Sequence, residues 1–460
     1  MKTARFVEES KLWRMRGSFT ERIVQPKSAL LLFIALFAAL ALTTSPVRAQ
    51  SGRDDGSAIV VEGSPSGLRL GEIQSMHGSM IVLRHRTRVI PAKVRPAAGT
   101  AIASPFAARQ HGGPEYSITD LGTLGGSASF AFAINDSGEV VGSSRIGGDT
   151  QLHAFLYRAG VMTDLYPLNS QGLQAGSSPA SINKDGRIAS GLIVDGVYVP
   201  AVLNSKTGDL TLLGSLGGVT SFGFNGVATA INGAGQTVGY SYVDSINRHA
   251  FLYRDGVMSD IGSLGGPSGQ SIAFGINNTR TIVGFSADEP DFVAHAFVYR
   301  NGVATRIGPP TESYALHVNN KGQVVGQFLT ADESADHAFL YSDGVFTDLG
   351  LPNSPETVAY SINDTEQIVG LTFVPYESTC LDPILGQYVP CILYRQEAFL
   401  YEHGKFQELN SLVPENSGWD LTWAFDINNR GQIVGYGMLN GNFRAFLLTP
   451  CCSTSGQRRP

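Results

Sequence analysis

Four histidines, His153, His249, His295 and His337, each open nearly the same phrase, as in "HAFLYRAGVMTDL" from His153 and "HAFLYRDGVMSDIGSLGG" from His249. Imidazole is the commonest protein ligand for zinc, so four converging histidines would make a metal site. Metal ligands must meet within bonding distance, however, and a repeat spreads equivalent residues apart. The expectation is therefore structural: each histidine starts a strand and hydrogen-bonds within its own repeat. Asp164, Asp260 and Asp348, in the phrases Thr163-Asp164, Ser259-Asp260 and Thr347-Asp348, receive the same reading.

Chemistry is better sought where the copies differ, chiefly in loops carried on a rigid scaffold. Two neighbouring copies are acid-rich, "SADEPDFVAHAF" with Asp288, Glu289 and Asp291, and "LTADESADHAF" with Asp332, Glu333 and Asp336. Carboxylates from adjacent units suit Ca²⁺, a hard cation with oxygen ligands, although a solvated acidic rim is the plainer reading. Cys380 and Cys391, within an insertion "VPYESTCLDPILGQYVPCILYRQEAF", bracket a short hairpin-like excursion and are expected to form a disulfide that stiffens it, an exposed loop suited to partner contact. Cys451 and Cys452 leave their pairing open. His317 and Asp426 interrupt a series of small residues and are candidates for ligand contact. An acid/base pair is not expected of them, because they stand in copies five and seven. Trp419 and Trp423 in "NSGWDLTWAF" are candidates for sugar stacking, with packing as the expected role.

The elements that position these residues come from a longer repetition. A small residue, Ile-Asn, a turn and Val-Val-Gly recur as "AFAINDSGEVVG", "ASINKDGRIASG", "ATAINGAGQTVG", "AFGINNTRTIVG", "ALHVNNKGQVVG", "AYSINDTEQIVG" and "AFDINNRGQIVG", which makes seven copies. Their asparagines, Asn135, Asn183, Asn232, Asn277, Asn319, Asn363 and Asn428, are spaced 48, 49, 45, 42, 44 and 65 residues apart, the last lengthened by the insertion. Each copy holds four short β-type runs broken by turn signals such as "NDSG" and "RDG". Asn135, Asn277 and Asn363 fall in glycosylation-type sequons, but turn chemistry explains them. Helical periodicity is absent.

Four strands in about 45 residues is the period of a β-propeller blade. The seventh copy stops at "RAFLLTP" without a fourth strand, and "YSITDLGTLGG" (116–126) is a fourth strand standing before the first copy. The fold expected is all-β, a closed seven-bladed β-propeller over 116–450, with the N-terminal strand completing the C-terminal blade and leaving no open edge. The small residues before each Ile, Ala133, Ser181, Ala230, Gly275 and Ser361, suit a crowded innermost strand, which is why His317 and Asp426 stand out there.

"HAFLYRDGVMSDIGSLGG" and "HAFVYRNGVATRIG" resemble the HAF repeats of bacterial extracellular proteins, over about 335 residues. The resemblance implies an exported repeat protein and brings no catalytic residues with it. Copies two, six and seven depart from it with "YVPAVLN", "EAFLY" and "RAFLL", so the histidine is dispensable in three units.

Composition and charge narrow the partners. Residues 116–450 carry 15 Lys/Arg against 31 Asp/Glu, which argues against a nucleic acid. At the N-terminus, basic residues precede an apolar core of 14 residues, Ala29 to Leu42, and a small-residue cleavage site at Val47-Arg48-Ala49. That length falls short of a membrane span and fits a signal peptide over 1–49, hence a secreted or periplasmic protein. Residues 50–115 read as a mostly flexible linker and 451–460 as a tail. Two function classes remain. The expected one is a non-catalytic, monomeric binding or interaction scaffold for an extracellular glycan, peptide or surface protein, with no cofactor unless Ca²⁺ binds. The alternative is an extracellular propeller hydrolase or lyase with its site at the channel mouth. An enzyme calls for convergent His and carboxylate residues that break the repeat, and the sequence shows only scattered ones.

Overall fold

A computed structural model describes residues 115–148, 151–165, 178–220, 223–266, 268–288, 293–381 and 388–451. The expected signal peptide over 1–49, nearly all of the expected linker over 50–115 and the expected tail beyond Cys451 lie outside the described residues. Seven four-stranded antiparallel sheets are arranged as blades, each numbered from its innermost strand outward. The protein is a seven-bladed β-propeller. The first blade begins with β2 (Gly125–Ile134) and β3 (Val140–Ile146), and the seventh with β26 (Trp419–Ile427), β27 (Ile433–Leu439) and β28 (Asn442–Pro450).

Closure follows the predicted offset. β1 (Tyr116–Asp120) pairs antiparallel with β28 from Tyr116↔Pro450 to Asp120↔Phe446, so the first described strand is the outer strand of the last blade. Around this seam Glu115 N–H donates to Leu412 O (3.0 Å), Cys451 N–H donates to Glu115 O (2.8 Å) and Ala445 N–H donates to Ser129 Oγ (3.0 Å).

The repeated phrases now have physical reasons. In the second strand of the first blade Gly142 lies opposite Phe155, and a Cβ there would sit 2.0 Å from the Phe130 carbonyl and 2.8 Å from the Phe155 ring. Val-Val-Gly and His-Ala-Phe are therefore two halves of one contact: glycine on the second strand leaves room for a phenylalanine from the third. Phe155, Phe251, Phe339, Phe399 and Phe446 are fully buried this way. Core clusters run between blades, one joining Ala131 and Phe155 of the first blade to Val434 and Leu447 of the seventh, so each blade buries its faces against its neighbours.

The asparagines do more than shape turns. Each accepts, through Oδ1, the backbone N–H groups two and four residues on, as Asn428 does from Arg430 and Gln432. Each also donates from Nδ2 to the backbone carbonyl of the corresponding asparagine in the next blade, at 2.8–3.1 Å, and the last link runs from Asn428 to Asn135. The seven bonds form a closed circle between blades.

Two departures from the sequence reading involve the sixth blade and its exit. One helical turn, α1 (Leu409–Leu412), follows β25 (Lys405–Glu408) and buries Leu409 and Leu412 between the last two blades. The insertion is a continuous ribbon rather than a short excursion: β23 (Ile368–Leu381) and β24 (Tyr388–Glu402) stay in register from Ile368↔Tyr401 to Leu381↔Tyr388. Among the described residues, no helix is long and apolar enough to cross a membrane.

Candidate functional site

The histidines of the repeated phrase stay apart. His153 Nδ1 meets Asp164 Oδ2 at 2.8 Å, His249 Nδ1 meets Asp260 Oδ2 at 2.8 Å, and His337 Nδ1 meets Asp348 Oδ1 at 2.9 Å. Each pair ties the third strand of a blade to its own fourth strand, and Asp260 and Asp348 also accept the N–H of Gly262 and Gly350. In the fourth blade the position opposite the phenylalanine is Arg306, so His295 lacks this brace.

His317 and Asp426 are brought together by a residue the sequence gave no reason to join to them. All seven innermost strands carry a register shift one residue before the position that holds them, so equivalent side chains crowd the axis at one level. Ser361, from the intervening blade, donates to Asp426 Oδ1 at 2.7 Å and lies 3.4 Å from His317 Nδ1. Serine, histidine and aspartate invite comparison with a nucleophilic triad, but the order of bonds is wrong for one. A nucleophilic serine gives its proton to histidine. Here the serine donates to the carboxylate, and His317 Nδ1 accepts the Ile362 N–H at 3.2 Å. Asp426 Oδ2 accepts the Ile134 N–H of the first blade at 2.9 Å, and Oδ1 accepts its own neighbour Ile427. Burial lowers the His317 pKa, against the opposing pull of Asp426, and burial raises that of Asp426, against His317 and its N–H donors. The group is a clasp across four blades.

The tryptophans pack. Trp423 is buried, stacks on Tyr436 (5.8 Å) and Tyr360 (5.9 Å), and joins Phe132, Phe425 and Phe130 in an aromatic cluster spanning blades six, seven and one. Trp419 is partly buried and meets Phe446 edge-on at 6.1 Å.

The acidic loops are held locally. Asp288 accepts from Ser286 Oγ at 3.1 and 3.2 Å and lies against Gly265 and Gly269 of the preceding linker. Asp332 accepts from Thr330 Oγ1 (2.7 Å) and from both Ser334 Oγ and N–H, bonds that lower its pKa to about 2. Glu333 sits at positive φ in that turn. Asp336 begins β20 (Asp336–Ser342), where it bridges to Glu356, whose pKa burial raises, with Asp336 adding to the effect. Glu289 and Asp291 lie outside the described residues. Among the described residues no three His, Cys, Asp or Glu side chains are grouped to hold a metal ion.

The sixth blade carries the largest asymmetry. Where three other blades have His and Asp, it has Glu397 and Glu408, with Arg395 bonded to both at 2.6 and 3.2 Å and Asn410 donating to Glu397 at 2.9 Å. Burial and the neighbouring Glu408 push the Glu397 pKa up to about 8, despite Arg395 and Asn410. The substitution in "EAFLY" was the visible signal; its pairing with Glu408 needed the register. Beyond this pair the ribbon extends alone, since β22 (Thr357–Ile362) pairs with β23 only as far as Thr372 and β25 with β24 only from Phe399. Tyr388, Ile392 and Tyr394 fall on one face at period two and are 74%, 43% and 39% exposed. Cys391 is disulfide-bonded and Cys451 is a free, exposed thiol. The side chain of Cys380, its expected partner, lies outside the described residues.

No protein-family model matches the chain, and no curated protein matches it. Solved structures similar to it include the β-propeller domain of the Trilobed protease from Pyrococcus furiosus, with 10% identity, a TM-score of 0.42, and 72% of this chain and 97% of that one covered. Oligogalacturonate lyase from Vibrio parahaemolyticus is similar at 11% identity and TM-score 0.40, covering 72% and 93%. YCF48 bound to D1 peptide is similar at 7% identity and TM-score 0.41, covering 76% and 100%.

Proposed function

We propose that this protein is an exported, non-catalytic propeller of the HAF-repeat kind, and that the ribbon of its sixth blade engages an extended segment of a peptide or surface protein. One observation carries the reading: the part of the scaffold that departs most from the repeat presents an exposed apolar stripe, Tyr388, Ile392 and Tyr394. Clustered tyrosines with an aliphatic neighbour typify the energetic centre of protein interfaces. Two strand edges unpaired beyond the blade add main-chain donors and acceptors to which an extended chain can pair. The polar residues that break the repeat near the axis support the same reading, because their hydrogen bonds are directed at neighbouring blades.

The test is a screen of extended peptides for binding to the wild-type chain and to the triple variant Tyr388→Ala, Ile392→Ala, Tyr394→Ala. Peptide binding that falls at least tenfold in the variant, with an unchanged circular dichroism spectrum, supports the proposal. Binding that persists in the variant overturns the assignment to the ribbon, and turnover of an extracellular polymer by the purified chain overturns the non-catalytic reading.

A further inference from the structure

One repeat-breaking residue lies outside the ribbon and the axial clasp. The position just before the histidine of the repeated phrase holds Leu152, Tyr198, Ala294, Asp336, Gln396 and Phe443 in six blades, and Arg248 in the third. Arg248 opens β12 (Arg248–Arg254), opposite Tyr242 of β11 (Thr237–Tyr242), and is 2% exposed. Its guanidinium lies over the Tyr240 ring, 5.5 Å from the centroid, and its Nε and Nη2 atoms are buried with no hydrogen-bond partner. Among the described residues no carboxylate is paired with it, although acidic residues outnumber basic ones 31 to 15 over 116–450.

A guanidinium cannot shed its proton to escape burial. One tyrosine face replaces only part of the lost hydration, and unpaired buried charge is among the most unfavourable features a fold can hold. The strand face that carries Arg248 also carries Ala250, whose N–H donates to Ser271 Oγ of the fourth blade at 2.8 Å, and Tyr240 packs with Ile272 and Phe285 of that blade. Arg248 thus sits in the seam between blades three and four. The hairpin leading into it is exposed, with Ile246 at 72%, and lies on the face that also bears the ribbon.

We propose that Arg248 anchors a binding site for a carboxylate group, in the seam between blades three and four, with Tyr240 as its floor and Tyr242 beside it. The planar fork of a guanidinium matches a carboxylate through two parallel hydrogen bonds, and Nε and Nη2 form one such fork. A monoanion matches the single charge of the one guanidinium, and a dianion would leave net negative charge buried. The site stands independently of the ribbon.

Acetate and propionate are the probes, with inorganic phosphate and chloride as comparisons at constant ionic strength, and the readout is the thermal midpoint. The wild-type chain is expected to show a saturable rise with either carboxylate, since a ligand bound only by the folded state raises its stability. Arg248→Met should abolish the rise, and Arg248→Lys, which keeps the charge but loses the fork, should weaken binding at least tenfold. A wild-type chain without a saturable carboxylate response overturns the proposal whether or not the variants fold. So does an equal response in the Met variant, or tighter binding of phosphate than of carboxylate.

Discussion

On one face of the ring, the first hairpin of every blade ends in the same asparagine, and seven bonds link those asparagines into a circle. On the opposite face, where second strands turn into third strands, the blades differ: one extends as a ribbon, one buries an unpaired arginine, one folds an aspartate into a self-contained turn. The uniform face spends its polar atoms on holding neighbours at fixed spacing. The varied face inherits that spacing and is free to differ, the division of labour expected when loops carry function on a rigid scaffold.

Removing the closure should have the largest effect. Deletion of Tyr116–Asp120 exposes the edge of β28, and we expect loss of the cooperative thermal transition or oligomerisation, read by calorimetry and light scattering. A monomer that keeps its transition would show that the ring does not depend on its seam. Next in size, Asn428→Ala removes bonds to Asn135, Arg430 and Gln432 and should lower the unfolding free energy by about 2–4 kcal/mol in a urea titration. Asp426→Ala strands the Ile134 N–H and Ser361 and should cost about 1–3 kcal/mol.

The Glu397–Glu408 pair sharpens the comparison through pH. The folded chain holds the Glu397 proton up to about pH 8, whereas the unfolded chain releases it in the ordinary carboxyl range. Stability from this group is complete below that ordinary range and falls as pH rises through about 8. Glu397→Gln should flatten the decline and leave the variant relatively more stable than wild type at pH 8.5, checked by thermal denaturation across pH 5–8.5. Smallest of all, the ribbon triple alanine variant should change stability by no more than about 0.5 kcal/mol, because its side chains face solvent. A large loss there would mean that the varied face also supports the ring.

What the sequence disclosed follows from how local each signal is. Blade number, the offset first strand and the placement of the insertion rest on turns and strand periodicity within a few tens of residues, and all three match the structure. Turn chemistry accounted for the asparagine Oδ1 atoms but not for Nδ2, whose partner lies 42–65 residues away along the chain in six blades and 293 away at the seam. His317 and Asp426 were visible as oddities, yet Ser361 looked like one more small residue of the inner strand until three-dimensional register set it between them. Arg248 was an unremarked cation in a loop-to-strand boundary, since nothing along the chain distinguishes a buried guanidinium from a solvated one.

The seam also dictates an order of events. Ser117 and Thr449, bonded across it, are 332 residues apart in sequence, while every other blade is built from strands that follow one another directly. Six blades can assemble by short-range hairpin pairing as their residues become available, but β1 must stay unpaired until β28 has emerged. Non-local pairing of this kind is slow relative to hairpin formation. The last blade to form is therefore the one holding both ends of the ring, and the rate at which the protein reaches its native state should be set by the search of five residues at one end of the propeller for nine at the other.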